Sequence, residues 1–246
     1  MANRIRLGMV GGGAGAFIGA VHRIAARIDG DYDLVAGALS SNPDNARQSA
    51  ADLGIAPDRA YTSYEEMAQK EAARPDGIEA VSIVTPNHVQ FGPAKAFLEA
   101  GIHVICDKPI TASIADARAL AQVKPKNGAK FLLTHNYTGY PLIRQARDLV
   151  ASGALGKIRV VQAEYPQDWL TNAADPGNKQ ASWRTDPARS GAGGAIGDIG
   201  THAYNLARFV TGLKTEAVSA DLQSFVPGRQ LDDNVHILLR FEGGAR

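Results

Sequence analysis

The sequence lacks the features that mark several protein classes. Its single cysteine, Cys106, excludes an internal disulfide framework and leaves a zinc–thiolate cluster without ligands. The formal net charge of +1 comes without a basic stripe or an acidic tail, so we expect no nucleic-acid or membrane partner. We also expect no signal peptide, no membrane-spanning helix and no internal repeat. A protein of the reducing cytoplasm fits these absences.

The first half of the chain alternates apolar strands with amphipathic helices. The predicted strands cover residues 5–10, 33–39, 80–84, 101–106 and 130–134. The predicted helices cover residues 17–28, 43–53, 87–100 and 114–123. This alternation predicts an α/β fold with a doubly wound parallel sheet of the Rossmann type.

The pattern changes after residue 136. Predicted helices at 141–151 and 201–210 and alternating strands at 157–164, 216–225 and 234–241 surround an irregular segment, 165–197. This order is typical of an α+β domain. We therefore predict two domains, residues 1–136 and 137–246.

A glycine cluster separates the first strand from the first helix. Gly11, Gly13 and Ala16 fit the dinucleotide pattern G-x-G-x-x-G/A, in which glycines allow a tight turn and close approach to a pyrophosphate. A second register, with Gly19 in the role of packing the helix against the turn, stays open. The position between strand and helix predicts a cofactor site at the helix N-terminus.

The end of the second strand bears on which dinucleotide binds. NAD-binding proteins place an acidic residue there for the ribose hydroxyls, whereas this chain has Ser40, Ser41 and Asn42, followed by Arg47. Hydroxyl, amide and guanidinium groups suit a 2′-phosphate better than a carboxylate would, which favours NADP over NAD. Alternatively, Ser41 and Asn42 simply cap the next helix.

Two further motifs follow predicted strands at the carboxyl edge of the sheet. Asp107-Lys108-Pro109 follows residues 101–106, and the proline restricts the lysine backbone at the edge where ligands bind in such sheets. Lys108 is thus either a catalytic residue or a solvated lysine. Thr85-Pro86-Asn87-His88 follows residues 80–84, and its turn predicts contact with the cofactor, although His88 alone fits a surface histidine.

Asp198 and His202 have helical spacing, so that the carboxylate can orient or polarise the imidazole. The pair could bind a metal, with His135 as a speculative third ligand, or belong to a capped helix with an incidental histidine. The glycine-rich stretch at 191–194 lets the backbone pass close to a ligand. It favours a catalytic pair, and we predict no metal.

These motifs together resemble those of the glucose-fructose oxidoreductase and inositol dehydrogenase family, often called Gfo/Idh/MocA. The glycine turn, Thr85-Pro86-Asn87-His88, Asp107-Lys108-Pro109, Trp183-Arg184 and Asp198-x-Gly-x-His202 occur in the family's order. The resemblance implies an NAD(P)-binding first domain. It also implies a second domain with an open, mainly antiparallel sheet that holds a sugar, cyclitol or related polyol, and a homo-oligomer.

The chain departs from the family pattern in four ways. Asp107 stands where the family usually has glutamate, and Asn205 stands where an aspartate is often found. The acid after the second strand is missing. Family members are also longer, with more strands in the second sheet, so we interpret the chain as C-terminally truncated.

The resemblance implies hydride transfer between a nicotinamide and a secondary alcohol, with His202 as general base, Lys108 stabilising negative charge on the oxygen, and Asp198 orienting His202. The predicted substrate contacts are Tyr165, Trp169, Trp183, Arg184 and Asn205, although the two tryptophans could be core residues. The predicted cofactor contacts are Gly11, Gly13, Ala14, Gly15, Ala16, Phe17, Ser40, Ser41, Asn42, Arg47, Thr85, Pro86, Asn87, His88, Asp107 and Lys108. The alternatives are a cofactor-retaining sugar lyase or hydrolase without net redox change, and a non-catalytic NAD(P)-binding ligand sensor.

Overall fold

The computed structural model describes residues 4–175 and 177–246, which divide into two compact units between Thr134 and His135. Residues 1–3 and 176, which belong to the predicted domains 1–136 and 137–246, lie outside the described residues. Each unit has its own sheet.

The first unit is a five-stranded parallel sheet with helices between its strands. The strands are β1 (Ile5–Gly11), β2 (Tyr32–Ala38), β3 (Ala80–Val84), β4 (His103–Asp107) and β5 (Phe131–Thr134). The helices are α1 (Phe17–Ile28), α2 (Pro43–Asp52), α3 (Tyr64–Ala73), α4 (Phe91–Ala100) and α5 (Ile114–Gln122). The strand order β2-β1-β3-β4-β5 confirms the predicted doubly wound fold.

Apolar side chains hold this sheet between its helices. Val81, Ile83, Val104 and Cys106 of the central strands are completely buried, and Phe97 of α4 belongs to the same core cluster. Strands covered on both faces need such apolar runs, which is why they are easily recognised in the sequence. Burial also raises the pKa of the Cys106 thiol to about 12, so the thiol stays protonated at neutral pH.

The apolar spacing of the sequence does not predict α3, because the buried face of this helix includes a carboxylate. Met67 and Glu71 are both buried. Glu71 forms an ion pair with Arg59 and accepts hydrogen bonds from the Tyr61 hydroxyl at 2.8 Å and the Ile78 amide at 3.1 Å. A glutamate within the buried stripe interrupts the periodicity on which a helix prediction depends.

The sheet brings the glycine cluster, the Thr-Pro-Asn turn and Lys108 to one edge. Gly11 pairs with Val84, and Ile83 pairs with Cys106, so β1, β3 and β4 end side by side. The chain leaves β1 towards β2 on one side, while β3 and β4 lie on the other. Ligands of open α/β sheets bind at such a switch point, outside the carboxyl ends of the strands.

The second unit combines helices with a two-stranded antiparallel sheet, which confirms the predicted α+β pattern. Its helices are α6 (Pro141–Ala151), α7 (Lys179–Arg184), α8 (Pro187–Ser190) and α9 (Thr201–Thr211), and its strands are β6 (Thr215–Gln223) and β7 (Asn234–Phe241). A π-helical turn, Ile196–Gly200, leads directly into α9. The short helices α7 and α8 lie in the segment predicted to be irregular.

The predicted strand at 157–164 is wrong, because this segment forms no ladder. Its backbone makes two hydrogen bonds with Arg246, one from the Val161 amide at 2.8 Å and one to the Arg159 carbonyl at 3.0 Å. Alternating side chains are typical of an extended backbone. A strand also requires a partner along its length, and alternation alone does not supply one.

The helices are short compared with the thickness of a bilayer. α1 has 12 residues, and α6 and α9 have 11 each. A membrane span needs about 20 apolar residues. Within residues 4–175 and 177–246, no helix is long and apolar enough to cross a membrane.

Candidate active site

The turn after β1 depends on glycine at several positions. Gly11, Gly12 and Gly15 have φ values of +79°, +76° and +78°, which side chains rarely adopt. A Cβ atom placed on Gly19 would lie 2.4 Å from the Gly12 Cα, so α1 packs directly against the turn at this point. The structure therefore places Gly19 in the helix-packing role that the sequence left open.

The first turn of α1 faces the carboxyl edge without a side-chain cap. Ala16 is its N-cap residue, and no side chain among the described residues accepts a hydrogen bond at this cap. Two backbone amides that precede Ala16 already have acceptors. The Gly13 amide donates to the Leu39 carbonyl at 3.0 Å, and the Ala14 amide donates to the Ser49 hydroxyl at 2.9 Å. The uncapped amides at the start of α1, where Phe17 is exposed, form an arrangement that suits a phosphate group.

The side chains after β2 are largely occupied in starting α2. Asn42 caps the helix, because its side-chain oxygen accepts the Asn45 amide at 2.9 Å. The Ser40 hydroxyl accepts the Asn42 amide at 3.1 Å and the Asn45 side-chain amide at 3.3 Å. The capping interpretation thus holds for Asn42, whereas a cofactor contact from Ser40 or Asn42 stays a prediction.

Ser41 and Arg47 lie on the exposed start of α2. Arg47 forms an ion pair with Asp44 at 2.7 Å, and both side chains are largely exposed. The guanidinium charge is therefore partly balanced before any ligand binds. A role of these two residues in binding a 2′-phosphate stays a prediction.

The turn after β3 places one orphaned hydroxyl beside the glycine turn. Thr85 Oγ1 is buried and has no hydrogen-bond partner in the described part of the chain. A Cβ atom on Gly11 would lie 3.0 Å from the Thr85 Cγ2, which shows how closely the two turns approach. Pro86 precedes a 3-10 turn, Asn87–Val89, in which Asn87 is buried and His88 is exposed. This orphaned hydroxyl fits a partner supplied by a bound cofactor.

A hydrogen-bond network fixes the end of β4. The Asp107 carboxylate accepts the Thr134 hydroxyl at 2.7 Å, and the Asp107 carbonyl accepts the Gln90 side-chain amide at 3.0 Å. Lys108 follows directly, is half-buried, and precedes a cis peptide bond to Pro109. The backbone position of Lys108 at the sheet edge is thus held from β5 and from the start of α4.

His22 of α1 joins this network and was not among the predicted site residues. Its Nδ1 lies 2.8 Å from the Ser82 hydroxyl, and its Nε2 lies 4.0 Å from Asp107 Oδ1. Burial lowers the pKa of His22, and the nearby Asp107 carboxylate opposes this effect only in part. Its position three residues after Gly19 was the available signal, because that spacing places both on the same face of α1.

In the second unit, His202 is buried among aromatic rings. The His202 ring centroid lies 4.7 Å from that of Tyr137, 6.0 Å from that of His135 and 6.1 Å from that of Tyr165. The hydroxyls of Tyr137 and Tyr165 hydrogen-bond to each other. This hydrogen bond is the main reason that the pKa of Tyr137 is raised to about 12. Tyr137 therefore stays protonated at neutral pH. No sequence motif indicated Tyr137, which lies just after the first unit.

Asp198 lies in the π-helical turn, four residues before His202. The structure records an ion pair between Asp198 Oδ2 and Arg184 Nε at 3.3 Å. The Arg184 guanidinium also lies over the ring of Trp183 at 4.2 Å and that of Trp169 at 5.6 Å. The Asp198 carboxylate thus lies beside the Arg184 guanidinium, which in turn makes cation–π contacts with two tryptophan rings.

Of the predicted substrate residues, Trp169 and Trp183 lie against the Arg184 side of this ion pair. A cavity of about 220 Å³ in the second unit is lined in part by Trp169, Arg184 and Asp198. Trp169 is 41% exposed, which rules out a core position for it. Tyr165 accepts a hydrogen bond from the Gln167 side chain at 3.0 Å, and Asn205 lies on α9 three residues after His202. A role for these residues in substrate binding stays a prediction.

The described residues contain no group of three or more His, Cys, Asp or Glu side chains that could hold a metal ion. His135 and His202 approach each other edge to face, as aromatic rings commonly do.

The chain matches models of two consecutive domains of one family. The oxidoreductase family model with an NAD-binding Rossmann fold matches residues 5–135, and the GFO/IDH/MocA C-terminal domain model matches residues 143–246. The chain belongs to the Gfo/Idh/MocA oxidoreductase family. The resemblance found in the sequence motifs is therefore confirmed.

Three similar proteins illustrate the range of the family. An oxidoreductase from Sinorhizobium meliloti has 55% sequence identity and a TM-score of 0.85, covering 99% of this chain and 63% of that chain. An inositol dehydrogenase homolog from Azotobacter vinelandii, complexed with NADH and myo-inositol, has 37% identity and a TM-score of 0.91, covering 100% of this chain and 63% of that chain. Levoglucosan dehydrogenase from Pseudarthrobacter phenanthrenivorans is 30% identical over 98% of this chain and 65% of its own length. This chain thus spans less than two thirds of each relative.

Proposed function

We propose that the protein transfers a hydride between a nicotinamide dinucleotide and a secondary alcohol carbon of a sugar, cyclitol or related polyol. The observation that carries this proposal is Lys108, which follows β4 on the same sheet edge as the glycine turn. Neighbouring strands are about 4.8 Å apart, so β4 ends about 10 Å from β1. The relatives complexed with NADH and myo-inositol, or named for levoglucosan, support the same reaction class.

The residues of the first unit fit a dinucleotide. The bare glycine backbone and the uncapped start of α1 would hold the pyrophosphate, and the orphaned Thr85 hydroxyl would meet the adjoining ribose. When bound, the nicotinamide supplies the hydride acceptor or donor.

His202 is proposed to exchange the proton of the substrate hydroxyl. Imidazole is the side chain that ordinarily titrates near neutral pH, whereas the neighbouring Tyr137 stays protonated with a pKa of about 12. The imidazole is buried beside the Tyr137 ring, which limits the room for it to turn. An imidazole is therefore better suited than the tyrosines to act as a general base, and the motif Asp198-x-Gly-x-His202 favours His202 over His135.

Lys108 is proposed to donate a hydrogen bond to the reacting oxygen as negative charge develops on it. Asp198, with its charge shared by Arg184, would orient or polarise His202 and accept hydrogen bonds from substrate hydroxyls. Tyr165, Trp169 and Trp183 would pack against the ring, with Asn205 at its rim. Aromatic faces beside a planar donor suit a hydroxylated ring.

The choice of cofactor rests on the end of β2, where Ser40, Ser41 and Asn42 stand in place of the acidic residue of NAD-binding proteins. Ser41 and Arg47 are exposed there, but Asp44 already balances part of the guanidinium charge. Exposed charge pairs contribute about 0.2–1 kcal/mol. We therefore propose a preference for NADPH over NADH of at most about fivefold.

The test measures NAD(P)H absorbance at 340 nm with levoglucosan and with myo-inositol as substrates. We expect Lys108→Ala and His202→Ala each to lower kcat by about 10²–10³ while NADH still binds. Lys95→Ala is the matched control, because Lys95 is half-buried on α4, like Lys108 after β4, and pairs only with Glu99 in the contacts recorded for it. Wild-type turnover in either variant would refute the assignment.

Two other outcomes would replace the proposed function. Product formation without net change at 340 nm would indicate the lyase or hydrolase alternative. Cofactor binding without turnover of levoglucosan, myo-inositol or a wider panel of sugars and polyols would favour the sensor alternative.

A further inference from the structure

The side chain of Asp232, just before β7, holds the start of the segment that carries Asp198 and His202. Its two carboxylate oxygens accept the amides of Gly194 and Ile196, each at 2.7 Å. Its backbone carbonyl accepts the amide of Ala195 at 2.8 Å. Three consecutive amides thus end on one residue, which is itself only 9% exposed.

These amides lie at the N-terminus of a continuous helical segment. The π-helical turn begins at Ile196, and α9 follows from Thr201 without an intervening break. Asp198 donates its own amide to the Gly194 carbonyl at 2.9 Å, so Gly194 connects Asp232 to Asp198. A carboxylate at this end also interacts favourably with the helix dipole.

The backbone at Gly194 packs directly against Asp232. A Cβ atom at this position would lie 2.1 Å from the Asp232 carbonyl oxygen and 2.9 Å from the Leu231 Cβ. No side chain larger than hydrogen fits without moving the backbone. This contact explains one glycine of the run at 191–194 that the sequence alone assigned to ligand approach.

Asp232 lies far in sequence from the helix that it caps, unlike the capping residues of α2, α3 and α5. Asn42, Ser63 and Ser113 cap α2, α3 and α5 from the residue that directly precedes each helix. Asp232 instead lies 36 and 38 residues after the amides that it accepts. The hairpin between β6 and β7 is thereby tied to the start of the helical segment.

We propose that Asp232 is a positioning residue, which sets the placement of Asp198 and His202 through the amides of residues 194–196. Its effect on turnover rests on the proposed function, whereas its effect on the segment does not. Asp232→Asn keeps one acceptor oxygen and turns an NH₂ donor towards the other amide, so that one backbone N–H loses its partner.

The test combines amide hydrogen exchange, the side-chain ¹⁵N shifts of His202 and steady-state kinetics. In Asp232→Asn, we expect exchange of the amides of residues 194–198 to rise about tenfold and the His202 shifts to change. With myo-inositol or levoglucosan, we expect kcat to fall about tenfold and the NADH dissociation constant to stay the same.

Asp233→Asn is the matched control. The Asp233 carboxylate likewise accepts two amides, from Phe225 at 2.8 Å and Val226 at 3.0 Å, but these belong to the hairpin. We expect it to raise exchange in residues 224–229 and to leave exchange in residues 194–204 unchanged.

A measurement on the wild-type protein needs no variant. The amides of residues 194–196 should exchange about tenfold more slowly than those of Phe17 and Ile18, at the start of a helix without a side-chain cap. Equal exchange at the two helix starts would overturn the proposal. Three results for Asp232→Asn would also overturn it. These are wild-type exchange in residues 194–198, exchange raised uniformly throughout the second unit, and, where the wild-type protein is active, an unchanged kcat.

Discussion

The two units are held together by different means. Of the hydrophobic residues that are buried in the described chain, 25 lie in the first unit and four in the second: Ala181, Leu231, Phe241 and Ala245. The second unit instead relies on charged side chains that bind loop backbone, chiefly Arg229, Asp232 and Asp233. We infer that apolar burial stabilises the first unit, whereas hydrogen bonds from charged side chains to the backbone stabilise the second unit, which carries His202.

The largest effect should come from the core of the first unit. Phe97 is fully buried, so Phe97→Ala is expected to lower the free energy of unfolding by about 3–5 kcal/mol. Phe225→Ala, at a side chain that is 69% exposed in the second unit, should cost less than about 1 kcal/mol. Urea denaturation monitored by circular dichroism measures both variants, with Phe225→Ala as the exposed control, and equal losses would show that burial of Phe97 does not stabilise the first unit.

A smaller effect is expected from the hydrogen-bonded loops. Arg229 donates to the carbonyls of Leu170 at 2.7 Å and Asn172 at 2.9 Å and lies near Asp233. Arg229→Ala should cost about 1.5–3 kcal/mol, because the two loops lose a charged donor. Arg240→Ala, at an exposed position on β7, serves as the control and should stay within about 0.5 kcal/mol.

Hydrogen exchange shows where the effect of Arg229→Ala lies. Exchange should rise in residues 168–172 and 224–229 and stay unchanged in the first unit. Unchanged exchange in both loops would show that the backbone contacts of Arg229 do not hold the second unit together.

The smallest effect concerns the pH dependence of the first unit. Burial lowers the pKa of His22 below its ordinary value of 6.5, so the folded protein resists protonation at this site. As the pH falls below 6.5, the unfolded chain takes up a proton that the folded protein takes up only at lower pH, and stability falls. His22→Gln should flatten the slope of unfolding free energy between pH 7 and pH 5. An unchanged slope would show that His22 does not contribute to it.

The two units also differed in how far the sequence could predict them. The strands and helices of the first unit follow from local apolar runs, and α1, α2, β3 and β5 lie within about a residue of their predicted bounds. α3 could not be found in this way, since Glu71 interrupts its buried face. The helix-packing glycine could not be chosen either, because the choice depends on how closely Gly12 approaches Gly19 in space.

In the second unit, the sequence predicted α6, α9 and β7 but gave a strand at 157–164 that has no ladder. The motif Asp198-x-Gly-x-His202 was visible, whereas the surroundings of His202 were not. Tyr137 precedes His202 by more than sixty residues in sequence. Asp232 follows Gly194 by 38 residues, so no local pattern indicates this contact.

The central claim is that the first unit binds a nicotinamide dinucleotide at the glycine turn. Calorimetric titration of the protein with NADH and with NADPH tests it most directly. The same titration is made with Gly19→Ala, because a methyl group at this position would push α1 away from the turn. We expect saturable binding with a stoichiometry of about one per chain, as a single Rossmann site requires, and at least tenfold weaker binding in Gly19→Ala. Binding of neither cofactor to the wild-type protein would contradict the account.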